Sequence, residues 1–193
     1  MRYNEIVNLT EISLPKTRND VHDKLLAAGY VCIGKGNWGK VYKKFNSQYV
    51  LKIFSANDNA YLSFLRMTRN HSNIHFPKII GNIVELTSEY FGVRLEPLTP
   101  MQKIKKNYEL ISNCRNYING KDLNEFEFGM RMIDADNPYL TAREFMKENP
   151  SIKNACDLIE TLLPNYSLDI DRENVMMRDD ILVFVDPVYD RQS

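Results

Sequence analysis

The stretch GKGNWGK, Gly34 to Lys40, places three glycines at G-x-G-x-x-G spacing in a chain that has only 8 glycines. Glycine is needed where the backbone must take φ > 0 or where another group must come very close. The pattern alone fits either a loop laid over phosphates or a tight turn. Its neighbours narrow the choice. The runs YVCIG, KVYKKF and QYVLKIF, with NSQ between the last two, are short, β-rich and separated by turn residues, which reads as a three-stranded antiparallel meander. The glycines therefore lie between two strands. A Rossmann fingerprint opens a helix instead, and a P-loop ends in Gly-Lys-Ser/Thr. What remains is a β-hairpin flap. Val41, two residues beyond Gly39, lies on the same strand face and is placed to cover a base while the flap covers phosphates.

Lys52 sits in the apolar strand YVLKIF, with Val50 on its own face. Such a lysine either keeps its ammonium in water at a sheet edge or points into a site that holds negative charge. The glycine flap upstream favours the second reading.

A third element is SLDIDRENVMMRDDILVFVDPV, residues 167 to 188, where Asp169 and Asn174 are five residues apart and Asp186 follows an apolar run. Phosphoryl transfer needs oxygen ligands for Mg²⁺ and a carboxylate that orients the attacking hydroxyl. Singly, each of these residues is of a type that makes turns and caps. Their order after a glycine flap and a strand lysine is the specific signal.

In these motifs the chain resembles the protein-kinase family. IGKGNWGKVYK is similar to its G-x-G-x-x-G-x-V loop, YVLK to V-A-I-K, DIDREN to the end of H-R-D-L-x-x-x-N, and VDP to D-F-G. The resemblance runs in order from Tyr30 to Val188. It implies an α+β, minimal two-lobed kinase-like fold in a single domain over residues 1–193. Its antiparallel β-sheet N-lobe would span residues 20–98, and its truncated helical C-lobe residues 99–193. The form it is most similar to is the compact early host-shutoff serine/threonine kinase of podophages, which ENVMM and VDPV resemble. By this resemblance Lys52 holds the α- and β-phosphates, Asp169 is the catalytic base, and Asn174 and Asp186 bind Mg²⁺. Gly34, Gly36, Gly39, Val41, Val50, Lys52 and Glu96 make up the ATP-binding set. The implied activity is transfer of phosphate from ATP to Ser/Thr hydroxyls of a protein partner in the cytoplasm, the host's if the gene is a phage's.

The chain departs from the family pattern at identifiable places. No glutamate stands between Lys52 and Glu85, so the usual Lys–Glu ion pair needs a substitute, for which Asp58 or the Tyr61 hydroxyl is available. Ser167 and Leu168 replace His-Arg, Asp171 stands where many kinases have lysine, and Pro-Val follows Asp186. The sequence ends at Ser193, seven residues beyond Asp186. The expectation is an enzyme without an activation segment, constitutive or controlled by its partner, that recognises its acceptor through the flap or the helices between Met101 and Asn149. Two other classes stay open: a pseudokinase that binds and neutralises another protein, and a small-molecule phosphotransferase of the aminoglycoside type.

Bulk properties agree with an ordinary globular chain. There are 25 basic and 25 acidic residues among 193, with 26% charged and 44% hydrophobic, so charge gives no reason to expect nucleic acid or an anionic membrane as partner. Cys32, Cys114 and Cys156 are far apart and form no C-x-x-C pair, which fits a reducing cytoplasm. Neither a signal-peptide core nor an apolar run of spanning length is present.

Elsewhere the periodicity predicts a helix in DVHDKLLAAG, capped by Asn19 or Asp20 and closed by Gly29. NAYLSFLRMTRN puts Tyr61, Phe64, Leu65 and Thr68 on one helical face. KIIGNIVELTS and YFGVRLEPL read as a strand pair, with Pro97 and Pro100 ending the sheet. PMQKIKKNYELISNCRNYI reads as a helix. LTAREFMKEN carries a capping box at Thr141 and Glu144. SIKNACDLIETLL has Ser151 as N-cap, with Ile152, Cys156, Ile159 and Leu163 on one face, and ILVFVD is a strand. A β-rich part followed by a helical part implies a ligand-binding cleft between them. His71 and His75 in HSNIH have i, i+4 spacing but no third metal ligand nearby. The acidic segment KDLNEFEFGMRMIDADNP is either a solvated face or an attractor of a basic partner. Trp38, at the flap tip, either packs on the next strand or contacts a ligand.

Overall fold

The computed structural model describes residues 18–120 and 138–191. The acidic segment read in the sequence thus lies, but for its last residue, outside the described residues. The fold is α+β, a five-stranded antiparallel sheet followed by helices. The described residues fall in two compact units. One lies within Met1–Asp58 and Lys78–Pro97, the other within Asn59–Pro77 and Leu98–Ser193.

The first unit is the sheet. Strands β1 (Tyr30–Lys35), β2 (Gly39–Lys44), β3 (Val50–Ser55), β4 (Val84–Thr87) and β5 (Tyr90–Leu95) run in the order β1-β2-β3-β5-β4. The expected meander is there, and alternation along it separates two faces. Tyr42, Leu51 and Ile53 on one face join Leu86, and helix α1 (Arg18–Ala27) sets Val21 and Leu25 against them. Burying each such aliphatic side chain stabilises by about 1.5–3 kcal/mol. Helix α1 begins at Arg18, so Asn19 and Asp20 lie inside it and not at its cap. Gly29, at φ 83°, closes it as expected, because the left-handed conformation carries no Cβ penalty there. The β2–β3 turn uses Asn46 at φ 60°, one of the few side chains that tolerate that region. Of KIIGNIVELTS only Val84–Thr87 is strand, and Ile79 adds a single bridge to Leu95.

The second unit holds helices α2 (Asn59–Asn70), α3 (Lys105–Asn119), α4 (Pro138–Glu148) and α5 (Pro150–Glu160), with the short strands β6 (Thr99–Pro100), β7 (Tyr166–Leu168), β8 (Val175–Arg178), β9 (Ile181–Phe184) and β10 (Val188–Asp190). Tyr61, Phe64, Leu65 and Thr68 are buried along α2, as their spacing predicted. Phe64 meets Phe76 edge-on, ring centroids 5.8 Å apart. The N-terminus of α2 is capped from far away, the Ala60 N–H donating to Asp190 Oδ2 at 3.3 Å.

Several local expectations fail here. Thr141 lies inside α4, which already runs from Pro138, so it is no capping-box residue. Ser151 is not the cap of α5, because Pro150 takes the first helical turn and Asn149 the cap position. Proline suits that turn since its missing N–H has no helical partner there anyway. Leu163 follows the end of α5 at Glu160, and α3 starts only at Lys105. The five-stranded sheet does end at Leu95, before Pro97 and Pro100, and Pro100 itself lies in β6, which pairs with Met176 and Met177 of β8 in a separate three-stranded sheet.

His75 explains the HSNIH segment. Its ring is buried, with Nδ1 2.7 Å from the Leu182 carbonyl and Nε2 3.1 Å from Ser151 Oγ. Since a carbonyl only accepts, Nδ1 carries the proton and Nε2 accepts from the hydroxyl. Arg178 donates to the Ile74 and Phe76 carbonyls at 2.6 and 2.9 Å. The segment is a fastening between α5 and the β8–β9 hairpin, and His71 is exposed. No cluster of three or more His, Cys, Asp or Glu suited to a metal occurs among the described residues. Cys32, Cys114 and Cys156 form no disulfide. Among the described residues no helix is long and apolar enough to cross a membrane.

Candidate functional site

The glycine stretch is the β1–β2 turn. The Gly36 N–H donates to the Gly39 carbonyl at 2.9 Å, and the Ser55 N–H to the Trp38 carbonyl at 2.8 Å, tying the tip to the end of β3. The glycines divide by cause. None of the three has positive φ. At Gly39 a Cβ would lie 2.8 Å from the Ile53 carbonyl oxygen, so the cross-strand neighbour forbids a side chain. At Gly34 a Cβ would meet Val41 at an ordinary 3.6 Å, and at Gly36 the nearest atom would be 3.9 Å away. Internal packing requires glycine only at Gly39.

Register sets Gly34, Val41, Lys52 and Val93 in one row across β1, β2, β3 and β5. Val50 is on the same face two residues before Lys52, opposite Leu95. The flap, the strand lysine, Val41 read as covering a base, and Val50 of the ATP-binding set therefore share a sheet face. Ile33, 56% exposed, sits at the β1 bulge opposite Val41. It was missed because the glycine spacing drew attention to the loop and not to the residue before it. Glu96 just beyond β5 accepts the Lys78 N–H through Oε1 at 2.8 Å, while its own N–H donates to the Lys78 carbonyl. Trp38 is 57% exposed, so the packed reading of that ring is not what the fold adopts. Asp58 and Tyr61, the suggested substitutes for glutamate, are both buried.

In the second unit the Asp169, Asn174 and Asp186 segments come together. Strands β7 and β10 pair antiparallel, Leu168 opposite Val188, and the Asp169 N–H donates to the Pro187 carbonyl at 2.7 Å. A single 3-10 turn, Arg172–Asn174, leads into the β8–β9 hairpin. That hairpin returns the chain, so the Val185 and Asp186 N–H groups both donate to the Asn174 carbonyl, at 2.9 and 3.4 Å. The Asn174 side-chain amide donates to the Asp169 carbonyl at 3.0 Å.

Burial pushes the Asp169 carboxyl above its ordinary value. The hydrogen bond from Asn174 opposes this, the charges of Asp171 and Asp186 add to it, and Arg115 opposes it. Arg115 of α3 was not foreseen. It donates to the Ile170 carbonyl at 2.7 Å and to Asp171 Oδ1 at 2.5 Å, a charge-assisted pair. The Asp171 carboxylate is thereby matched by a cation from helix α3. No local sequence signal marks that pairing, since the two residues are 56 positions apart.

The donor chemistry fits a hard cation. Asn174 uses its amide N–H as donor, so its side-chain carbonyl oxygen and the Asp186 carboxylate are the oxygen atoms that would hold such a cation. Mg²⁺ is commonly held by one or two protein carboxylates together with substrate phosphates and water.

Comparison with protein-family models and with curated proteins gives no match. Among solved structures the chain is similar to Rad53 1-466 in complex with AMP-PNP, with 13% identity and a TM-score of 0.38 over 83% of this chain and 38% of that one. It is also similar to the Cydia pomonella granulovirus kinase PK-1, with 13% identity and a TM-score of 0.37 over 90% of this chain and 57% of that one. This chain thus spans under two thirds of either structure. At such scores these likenesses carry no functional argument, which rests on the residues described above.

Proposed function

We propose that this chain binds ATP with Mg²⁺ and transfers the γ-phosphoryl group to a serine or threonine hydroxyl of a protein. The observation that carries the reading is the convergence of Asp169, Asn174 and Asp186 through β7–β10 pairing and the Asn174 bond to Asp169. Gly34 and Gly36 support it, because neither backbone angle nor neighbouring atoms call for glycine there. The close approach of an outside group is the remaining physical reason, and phosphate oxygens are such a group.

In this reading the backbone of Gly34–Gly39 covers phosphates, Lys52 balances their charge, and Ile33, Val41 and Val50 pack on the base. Glu96 contributes backbone, its carboxylate holding Lys78. Asp169 accepts the proton of the acceptor hydroxyl as the new O–P bond forms. The bond from the γ-phosphorus to the β–γ bridging oxygen breaks, and ADP leaves with that electron pair. Asn174 and Asp186 would hold Mg²⁺, whose contribution is to neutralise charge on the phosphates. The protein's own contribution is positioning and preorganised charge.

The test incubates purified protein with γ-labelled ATP and Mg²⁺, with and without cell extract, beside the Asp186→Asn variant. Label on proteins that disappears in the variant supports the reading. Label on small molecules assigns the aminoglycoside-type class, and tight ATP binding without transfer assigns a pseudokinase. Full transfer by a folded Asp169→Ala variant would falsify the choice of base.

A further inference from the structure

The loop that carries Asp169 and Asn174 is held by its own atoms and also by helix α3. Within the loop, the Asp169 carbonyl accepts from the Asn174 side-chain amide and the Asp171 carbonyl from the Asn174 N–H, both at 3.0 Å. Those two bonds pass over the Ile170 carbonyl that lies between. Arg115 of α3 takes that place, its Nη2 and Nε donating to the Ile170 carbonyl at 2.7 and 3.3 Å. Beneath it the Ile170 side chain is buried. Tyr108, seven residues before Arg115, is hydrogen-bonded to the Arg172 side chain, and positions seven apart share a helix face. One face of α3 thus engages three successive loop residues, Ile170, Asp171 and Arg172.

The two partners of Arg115 differ in weight. Its side chain is 43% exposed and that of Asp171 67%, and ion pairs so open to water contribute little. The bond to Ile170 acts on the main chain one residue after Asp169. A guanidinium presents its donors in a rigid planar fork, so it fixes direction as well as distance. Loss of Arg115 should leave the fold standing, because water can reach the carbonyl from the open Asp171 side. The loop would then keep its internal bonds but lose its fastening to α3.

We propose that Arg115 is a positioning residue, which through the Ile170 carbonyl sets the course of the Asp169–Asn174 loop and with it the place of the Asp169 carboxylate. Its kinetic consequence rests on the phosphotransfer reading, where a displacement of about 1 Å at the reacting groups can cost about 100-fold in rate. Its structural consequence is local and does not depend on that reading.

The experiment compares the full-length parent with Arg115→Met, Arg115→Lys and Tyr117→Phe. The last removes the bond from the Tyr117 hydroxyl to Asp157 Oδ1, 2.9 Å, which joins α3 to α5, and so loosens α3 without touching the loop. The first readout is hydrogen exchange of the Asn174 N–H, without nucleotide. It should speed at least about tenfold in Arg115→Met, through local opening, less in Arg115→Lys, and not in Tyr117→Phe. The Ser55 N–H in the sheet should be unchanged in all three. The second readout is transfer from γ-labelled ATP with Mg²⁺ to a degenerate serine-peptide mixture. Here kcat should fall at least about tenfold in Arg115→Met, with KM for ATP within about twofold of the parent, recover in part in Arg115→Lys, and stay at the parent value in Tyr117→Phe. If Arg115→Met does not fold, Arg115→Lys against the parent decides both readouts. Unchanged exchange at Asn174 overturns the proposal, as does equal acceleration by Tyr117→Phe, which would make Arg115 an ordinary support of α3. Loosened exchange with undiminished kcat overturns it too. A parent that transfers no label overturns the phosphotransfer reading instead, and the exchange data then decide by themselves whether Arg115 fixes the loop.

Discussion

The Asn174 amide donates to the Asp169 backbone carbonyl at 3.0 Å, so the residue proposed to hold the metal also fixes the residue proposed to take the proton. Replacing Asn174 with alanine should lower phosphotransfer by about 100-fold or more while the fold survives, and Asp169→Ala should do the same. Groups acting as a unit are not additive. Single-turnover transfer by the double variant should therefore be no slower than the worse single one. A product of the two losses would mean that they act separately.

The glycines should separate by phenotype. In Gly39→Ala the new methyl would crowd the Ile53 carbonyl, and overpacking of this kind costs about 1–3 kcal/mol. Gly34→Ala meets only ordinary contacts and should leave unfolding free energy within about 0.5 kcal/mol, yet raise KM for ATP. Urea unfolding and ATP titration of both variants check the pair.

His75 should make stability fall on acidification. Burial lowers its folded-state pKa below the ordinary 6.5, with Arg178 adding to this and the bond to Leu182 opposing it. Above pH 6.5 both folded and unfolded forms are neutral there and stability is unaffected. As pH falls through the unfolded value, the unfolded chain binds the proton first, so stability drops until the folded pKa is passed. Urea midpoints at pH 7.5 and 5.5 should differ more in the parent than in His75→Gln. An equal difference in both proteins would remove His75 as the cause.

Asp190 should matter to a helix that begins 131 residues earlier, since its carboxylate receives the Ala60 N–H at the start of α2. Asp190→Ala is expected to cost about 1 kcal/mol, the usual loss of an N-cap acceptor, and Asp190→Asn much less. Thermal or urea unfolding reads the difference. No loss in the alanine variant would show that water satisfies that N–H equally well.

What the sequence showed well was short-range. Alternation along YVLKIF placed Lys52 and Val50 on one face, and the turn residues around GKGNWGK announced a hairpin. Both follow from the two-residue strand period. The buried side of α2 was readable from Tyr61, Phe64, Leu65 and Thr68 for the analogous helical reason. The order Asp169, Asn174, Asp186 named candidates for the site, but no bond between them.

The misread caps show where that reach ends. Ser151 looks like an N-cap by its neighbours, yet its hydroxyl is engaged by His75, 76 positions away. Arg115 and Asp171 are paired across 56 positions, and Asp190 caps α2 from 130 positions beyond Ala60. Sequence alone determined the β1–β2–β3 meander, the glycine hairpin and the types of residue available for phosphate chemistry, because backbone preference and side-chain period act over a few residues. Tertiary structure decided which of those residues meet. A buried N–H, imidazole or carboxylate is satisfied by whatever partner packing brings within hydrogen-bonding distance, however distant along the chain.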